Sequence, residues 1–263
     1  MGRTHTPVPV RRVSTRLIRK GALIEETHAV FRHWDLNATC KENLERARTE
    51  NTPGADNEAW LKEIISTLSS RFGDDTYTEA LILMAQHSDI EVWRPCLLWY
   101  IGQTDELYYQ FALQWLFEEF QAGAFVLRTL DVEPFVRDLT TTKIAGGKGL
   151  SDYGVTRAAR DLLKMASDFG LIRGATSRQF CSYHLPEDAL LFILHAMAEQ
   201  QPNGSLLVQS PDWRLFLIDR EDVERELFRL HQFHKLQFEI AGSIARLELP
   251  FSSASEFAKG FNR

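Results

Sequence analysis

The sequence predicts a mainly α-helical protein in which a helical N-terminal domain is followed by a winged-helix-like α+β C-terminal region. Between residues 14 and 130, apolar residues recur at spacings of three and four, which is typical of amphipathic helices. From residue 131 onward, short helical segments alternate with pairs of short apolar segments around polar turns, which favours hairpins. We therefore divide the chain into a basic flexible arm (1–13), a helical domain (14–130) and a winged-helix-like α+β region (131–263).

The helical half is predicted in several segments. The stretch STRLIRKGALIEETHAVFRHW carries apolar faces that are interrupted at Gly21, and NEAWLKEIISTLSSRFG ends at Gly73. A third segment, TDELYYQFALQWLFEEFQAG, begins with a cap at Thr104 and ends at Gly123. The many aromatic residues between 93 and 125 have mixed helical spacing, which favours core packing over a base-stacking surface.

The C-terminal half is predicted to contain two hairpins and several helices. DVEPFVRDLTTTK forms a short helix, and LIRGATSRQFCSYHL (171–185) forms two short strands around a polar turn. A central buried helix begins at Pro186. The alternating apolar residues of 213–218 predict a half-buried strand, which leads to a helix capped by Asp219 and a hairpin turning at Ala241–Gly242.

The charge of the chain is unevenly distributed. The formal net charge is −6, yet residues 1–20 carry six basic and no acidic side chains. Residues 141–180 carry seven basic and three acidic side chains. An acidic body with two basic segments can present a local cationic surface to nucleic acid.

The helix within GVTRAARDLLKMASDFGLI (154–172) has two distinct faces. Apolar residues recur from Val155 to Phe169 at spacings of four and three, which predicts a core-facing stripe. Basic residues occupy another face, and the chain then leaves the helix through a glycine and enters a hairpin. Helix, linker, helix and hairpin are the order of a winged helix-turn-helix. A solvated surface remains the alternative, because Asp161 can pair with Arg157 or Lys164 at helical spacing.

The predicted DNA-binding residues lie on this helix, on the hairpin, on the connection before the helix and in the N-terminal arm. We expect Thr156, Arg157 and Arg160 to reach base edges, and the other residues to contact phosphates. The full set is Thr156, Arg157, Arg160, Lys164, Arg173, Arg178, Lys143, Lys148, Arg11, Arg12, Arg16 and Arg19.

No catalytic constellation, metal site or cofactor site is predicted. The GGKG segment (146–149) lacks the remainder of a phosphate-binding loop, and DFG (168–170) lacks the other kinase motifs. Three cysteines without a CxxC pair indicate a reducing cytoplasm, and no apolar stretch is long enough to span a membrane. We therefore expect a cytoplasmic protein that is not an enzyme and has no membrane partner.

Three segments resemble a known family. TRLIRKGALIEETHAVFRHWDL, GLSDYGVTRAARDLLKMASDFGLIRG and, most specifically, SPDWRLFLIDREDVERELFRL (210–230) are similar to BrxA, the small protein A of bacteriophage-exclusion (BREX) systems. The resemblance covers about residues 13–248. It implies a winged-helix-like architecture, binding of double-stranded DNA, and a cytoplasmic, non-enzymatic role in phage defence. It supports Thr156, Arg157, Arg160 and Lys164 on the helix, with Arg173 at the start of the wing.

Two other functions remain open from the sequence. One is RNA binding in the manner of the NusB antitermination factor, with which the family was once compared, using exposed aromatic residues. The other is a protein-interaction adaptor that contacts other BREX components through the acidic body. A continuous basic strip from the 155–169 helix to the hairpin favours DNA, whereas a face neutralised by Asp161 and Asp168 favours the adaptor. The DNA sequence preference and the oligomeric state are not determined by the sequence.

Overall fold

The computed structural model describes residues 15, 18–73, 75–143, 149–242 and 244–261, without the side chains of Thr76, Thr142 and Lys143. The α-helices within these ranges are α1 (Ile24–Arg32), α2 (Cys40–Thr49), α3 (Glu58–Arg71), α4 (Thr76–His87), α5 (Ile90–Thr104), α6 (Glu106–Gln110), α7 (Phe117–Gln121), α8 (Thr129–Lys143), α9 (Asp152–Asp168), α10 (Glu187–Gln200), α11 (Gly204–Val208), α12 (Arg220–Gln232) and α13 (Ala254–Gly260). Two short 3-10 helices are Ile18–Lys20 and Pro211–Phe216, and a π-helical segment, Phe111–Leu116, joins α6 to α7. The strands are β1 (Ile172–Arg173), β2 (Gln179–Phe180), β3 (Gln237–Ala241) and β4 (Ile244–Glu248).

The strands form two small antiparallel hairpins, so the fold is mainly helical as predicted. In the first hairpin, Ile172 pairs with Phe180. In the second, Gln237 pairs with Glu248, and the turn lies at the predicted Ala241–Gly242. An isolated antiparallel bridge between Leu127 and Arg178 attaches the segment before α8 to the chain that enters β2. The residue before β2 therefore pairs with a segment that precedes α8 in the sequence, which extends the first hairpin by one bridge.

One hydrophobic core runs through both halves of the chain. Helix α4 packs against α13, α5 packs against α10, and α9 packs against both α8 and the Ile18–Lys20 turn. Of the aromatic residues predicted between 93 and 125 to pack in the core, those from Trp93 to Phe117 are buried and Phe120 is partly buried, which confirms the packing interpretation for them, whereas Phe125 is 79% exposed and departs from it. Residues on both sides of residue 130, the predicted domain boundary, share this core. The division of the chain into two domains stays a prediction.

Helix α9 forms as its sequence pattern predicts. The Ser151 hydroxyl accepts a hydrogen bond from the backbone N–H of Gly154 at 3.2 Å, which satisfies one of the free donors of the first turn. Gly170, with φ of +77°, lets the chain leave the helix in the left-handed conformation. The core-facing stripe is fully buried and consists of Val155, Ala159, Leu162, Ala166 and Phe169.

The helix predicted to begin at Thr104 begins one residue later. Thr104 is the last residue of α5, and the Asp105 carboxylate accepts a hydrogen bond from the Tyr108 N–H at 2.9 Å. Asp105 thus caps α6 and separates the two helices without a loop. The sequence pattern predicts the cap at Thr104, but the Asp105 side chain is the one that reaches an N–H group of α6.

The strand predicted around Trp213 is wrong, because residues 211–216 form a 3-10 helix. Pro211 begins this helix, and the Ser210 hydroxyl accepts a hydrogen bond from the Asp212 N–H. Trp213, Leu215, Phe216 and Leu217 are all buried, so the segment has no exposed alternating face of the kind that a half-buried strand requires.

Polar contacts hold the Pro211–Phe216 helix against the N-terminal half. The Asp212 carboxylate accepts hydrogen bonds from Gln103 Nε2 at 2.7 Å and from the Tyr109 hydroxyl at 2.8 Å. The Trp213 indole donates to the Leu207 carbonyl at 2.8 Å. This segment therefore connects α5, α6 and α11 in the core. The following helix, α12, is capped by Asp219 as predicted.

Candidate nucleic-acid interface

Five residues of α9 form one outward surface, which we call the α9 face: Tyr153, Thr156, Arg157, Arg160 and Lys164. Their spacings of three and four residues place them along one side of the helix, away from the buried stripe. The Arg157, Arg160 and Lys164 side chains are 40%, 60% and 55% exposed, although the Nε atom of Arg157 is itself buried. Tyr153 is also exposed.

A carboxylate lies beneath the two arginines of the α9 face. Asp161 Oδ2 is 3.8 Å from Arg157 Nε, and Asp161 Oδ1 is 4.0 Å from Arg160 Nε. The Asp161 side chain is only 11% exposed. Burial raises the pKa of the Asp161 carboxyl, while Arg160 and Arg157 oppose that rise by favouring the charged form. One largely buried negative charge therefore lies within ion-pair distance of two more exposed positive ones, and the surface stays cationic.

The C-terminal end of the α9 face is held by Asp168. This carboxylate is 2.9 Å from Lys164 Nζ and accepts a hydrogen bond from the Ala22 N–H at 3.0 Å. Gly21 lies against the same pair with φ of +74°, and a Cβ atom there would be 2.5 Å from Lys164 Nζ. The left-handed φ favours glycine at position 21, and a side chain there would displace the ends of the Lys164 and Asp168 side chains.

These contacts bring Arg19 to the α9 face. Arg19 lies on the exposed side of the Ile18–Lys20 turn, which packs against α9, and it acts electrostatically on Asp161. Arg71 binds the residue that follows this turn, since its Nη2 donates to the Gly21 carbonyl at 3.0 Å. Arg71 is fully enclosed, and burial lowers its pKa to about 10, which still leaves it charged at neutral pH.

The N-terminal end of the α9 face is tied to α8. The Thr156 hydroxyl donates to Glu133 Oε1 at 2.7 Å, and Arg137 Nη2 is 2.8 Å from Asp152 Oδ1. The Thr156 hydroxyl proton is therefore engaged by α8, which leaves its methyl group and hydroxyl lone pairs for other contacts. Tyr153 is on the same end and has 73% of its surface exposed.

The β1–β2 hairpin presents one of its two predicted arginines. Arg173 is exposed, as are residues 174–177 of the turn. Gly174, with φ of +114°, carries no side chain because a Cβ atom there would collide with the Ser177 carbonyl oxygen. Arg178 is only 7% exposed, since its backbone pairs with Leu127 in the bridge. This burial corrects the expected place of Arg178 on an exposed part of the hairpin.

The structure thus brings Arg157, Arg160, Lys164 and Arg19 together, with Arg173 on the adjoining hairpin. The predicted residues Arg11, Arg12, Arg16 and Lys148 lie outside the described residues, and of Lys143 only the backbone is described. Tyr153 was missed by the sequence reasoning, although its spacing of four residues from Arg157 places it on the same face.

Other kinds of site are not indicated by the described residues. None of their His, Cys, Asp and Glu side chains form a group of three or more that could hold a metal ion. Cys40, Cys96 and Cys181 form no disulfide bond with one another. Among the helices described, none combines the length and the apolar character needed to cross a membrane.

Comparison with solved structures shows that the fold has precedents. A crystal structure of magnesium ion-bound SspB superposes with a TM-score of 0.58 at 12% sequence identity, covering 96% of this chain and 87% of that chain. A second SspB crystal structure gives a TM-score of 0.57 at 11% identity with the same coverage. At such low identities the likeness concerns the fold alone. A comparison with curated proteins found no match.

Comparison with family models gives a direct assignment. The BrxA family model matches residues 12–196, which include the α9 face, the β1–β2 hairpin and the Arg19 turn. The match ends before residues 210–230, so the segment that carried the resemblance most specifically lies outside it. The matched range covers well over half of the chain. The chain therefore belongs to the BrxA family, and this membership implies a component of a BREX phage-defence system.

Proposed function

We propose that this protein is a non-catalytic component of a BREX system that binds double-stranded DNA through the α9 face, Arg19 and Arg173. The proposal depends mainly on the difference in solvent exposure between the basic and the acidic side chains of α9. Its cations are 40–60% exposed, whereas Asp161 and Asp168 lie beneath them at 11% and 26%. A polyanion approaching this surface therefore meets the positive groups first.

The order of elements around α9 supports a winged-helix interpretation. The chain passes from Leu127 through α8 and α9 to the hairpin of β1 and β2. Leu127 pairs with Arg178, the residue just before β2, in an isolated bridge. In a winged helix-turn-helix the second helix lies in the major groove, and the hairpin contacts the flanking backbone. In this arrangement α9 is the recognition helix, and Arg173 on β1 reaches the phosphates.

The residues of the α9 face divide by their chemistry. Lys164, Arg19 and Arg173 provide positive charges that suit phosphate oxygens, which supply most of the affinity. Arg157 and Arg160 lie 3.8 and 4.0 Å from Asp161 and carry guanidinium donors that match the acceptor edge of guanine. The row of base-reading side chains is short, so we expect modest sequence selectivity.

The two other functions have less support. RNA binding relied on exposed aromatic residues in the helical half, but the aromatics from Trp93 to Phe117 are buried, and Phe125 is the one member of the 93–125 set that is largely exposed. An adaptor role is favoured by the Lys164–Asp168 pair, which neutralises one of the cations. The remaining cations of the surface outnumber the exposed carboxylates beside them, so DNA accounts better for the whole surface.

The test is fluorescence anisotropy of a labelled mixed-sequence duplex at low salt. The wild-type protein is compared with Arg157→Ala/Arg160→Ala/Lys164→Ala, and single-stranded RNA serves as a competitor. Arg220→Ala/Arg225→Ala/Lys235→Ala is a matched control, since it removes the same charge at and just after α12, where each cation pairs with a carboxylate.

We expect the wild type and the control to bind the duplex alike and the α9 variant to lose most of its affinity. Efficient competition by RNA would favour the RNA-binding alternative. Equal binding by the α9 variant, or no binding by the wild type, would contradict the proposal and leave the adaptor as the better account.

A further inference from the structure

A groove between α2 and α3 lies outside the elements that we assign to DNA binding. It has a volume of about 730 Å³ and is open to solvent. Helix α2 contributes Lys41, Leu44 and Arg48, whereas α3 contributes Lys62, Ile65 and Ser66. On each helix the lining residues recur at spacings of three and four, so the groove runs along both helices.

The groove combines an apolar floor with positive rims. Leu44 is buried and Ile65 is half-buried, whereas Lys41, Lys62 and Arg48 are exposed. Glu45 is the only acidic residue of the lining, and it is 3.8 Å from Arg48. Neither lysine has an ion pair with any residue that the structure describes. The lining therefore has two positive charges in excess.

The shape suits a helix better than a small anion. Lys41 and Arg48 are seven residues apart, which corresponds to about 10 Å, or two turns, along α2. The N-terminus of α2 offers no free anion cradle, because the Thr39 hydroxyl accepts from the Glu42 N–H, and the Glu42 carboxylate accepts from the Thr39 N–H. The available charges are spread along the groove rather than converging on one point.

We propose that this groove binds an amphipathic helix of a partner protein that carries acidic side chains beside its apolar stripe. Two turns of such a helix would place apolar residues at i, i+3 or i+4, and i+7 over Leu44 and Ile65. Its carboxylates would pair with Lys41 and Lys62 at the rims. A nucleic acid is disfavoured, because an apolar floor between two helices offers little to a phosphate backbone.

The test is a selection from a displayed library of random 12-residue peptides on the full-length wild-type protein. Counter-selection uses Lys41→Glu/Lys62→Glu, and a second variant, Ser66→Trp, fills the groove at an exposed position without changing its charge. Arg225→Glu/Arg246→Glu is the matched control, since it makes the same change in charge on exposed side chains of α12 and β4. Thermal denaturation checks that every variant is folded.

We expect the selection to enrich peptides with acidic residues and apolar residues at helical spacing. Their affinity, measured by anisotropy, should fall by about tenfold or more for Lys41→Glu/Lys62→Glu and for Ser66→Trp, and stay unchanged for the control. Peptides in which lysine replaces the acidic residues should bind the Lys41→Glu/Lys62→Glu variant more tightly than they bind the wild-type protein.

Three results would overturn the proposal. They are a selection without enrichment, enriched peptides that lack the acidic and apolar pattern, and enriched peptides that bind the two groove variants as tightly as they bind the wild type. Loss of duplex DNA binding in Lys41→Glu/Lys62→Glu, without peptide enrichment, would make the groove part of a nucleic-acid surface instead. The DNA proposal for α9 is tested with different variants and a different ligand, so the two can fail separately.

Discussion

The packing of Gly102 against Leu215 leads to a prediction in which one substitution changes sign with its background. Gly102 lies within α5, and Leu215 belongs to the Pro211–Phe216 helix and is fully buried. A Cβ atom at position 102 would lie 2.6 Å from Leu215 Cδ1, 3.0 Å from Cδ2 and 3.4 Å from Cγ. These three atoms are the ones that Leu215→Ala removes.

The expected changes in the free energy of unfolding follow from this geometry. Leu215→Ala alone should cost about 2–5 kcal/mol, because it leaves a cavity in the core. Gly102→Ala alone should lose about 1–3 kcal/mol to overpacking and regain about 1 kcal/mol of helix propensity, so it is neutral to destabilising. In the Leu215→Ala background the clash is absent and the new methyl group occupies part of the cavity. There Gly102→Ala should stabilise the protein by about 1–2 kcal/mol.

The assay is urea denaturation of the wild type, both single variants and the double variant, followed by circular dichroism and tryptophan fluorescence. The double-mutant cycle gives the coupling between positions 102 and 215 directly. If Gly102→Ala has the same effect in both backgrounds, within about 0.5 kcal/mol, the inferred contact is wrong.

Three further predictions concern other sites. Arg173→Ala should weaken duplex binding and reduce the slope of log affinity against log salt by about 0.9, as for one lost phosphate contact. Arg178→Ala should lower thermal stability more than affinity, because this side chain is buried. The reverse pattern in anisotropy and thermal melts would contradict the placement of the two arginines. Asp219→Ala should lower the free energy of unfolding by about 1 kcal/mol, because it removes the cap of α12, and Asp219→Asn should retain most of that stability in urea melts. Burial raises the pKa of Asp105 to about 7, so the folded protein holds a proton that the unfolded chain releases near pH 4. The free energy of unfolding should therefore fall as pH rises from about 4 to 7, and Asp105→Asn should lack this fall. Parallel curves of urea midpoint against pH for the wild type and Asp105→Asn would refute this prediction.

The predictions that depended on local pattern agreed best with the structure. The core stripe of α9, the Asp219 cap and the Ala241–Gly242 hairpin each depend on residues that are close in sequence, so spacing and residue type were sufficient. Position 104 shows the limit of that reasoning, because two neighbouring residues could both cap a helix and only the geometry selected Asp105.

The predictions that depended on distant contacts were the ones that failed. Arg178 resembled a hairpin arginine exposed to solvent, but pairing with Leu127 buries it. The alternation around Trp213 resembled a half-buried strand, but contacts from Gln103 and Tyr109 to Asp212 help to hold the segment as a 3-10 helix against the core. Such long-range pairings leave no local signal in a single sequence.

The placement of Arg19 is the clearest gain from the structure. Its charge alone assigned it to a basic N-terminal segment, whereas the Asp168 contact with Ala22 brings it to the α9 face. The sequence contains the necessary residues, Ala22 and Asp168, but they lie 146 residues apart. The cationic surface is therefore assembled by tertiary contacts from segments that are individually unremarkable.

The salt dependence of duplex binding tests the central claim most directly. The phosphate contacts assigned to Arg19, Lys164 and Arg173 should give a slope of log affinity against log salt of about −2.7, which reaches at most about −4.5 when Arg157 and Arg160 also neutralise flanking phosphates. The Arg157→Ala/Arg160→Ala/Lys164→Ala variant should have a slope shallower by about 0.9 to 2.7, whereas the matched α12 control should keep the wild-type slope. An unchanged slope in the α9 variant would show that α9 does not face DNA.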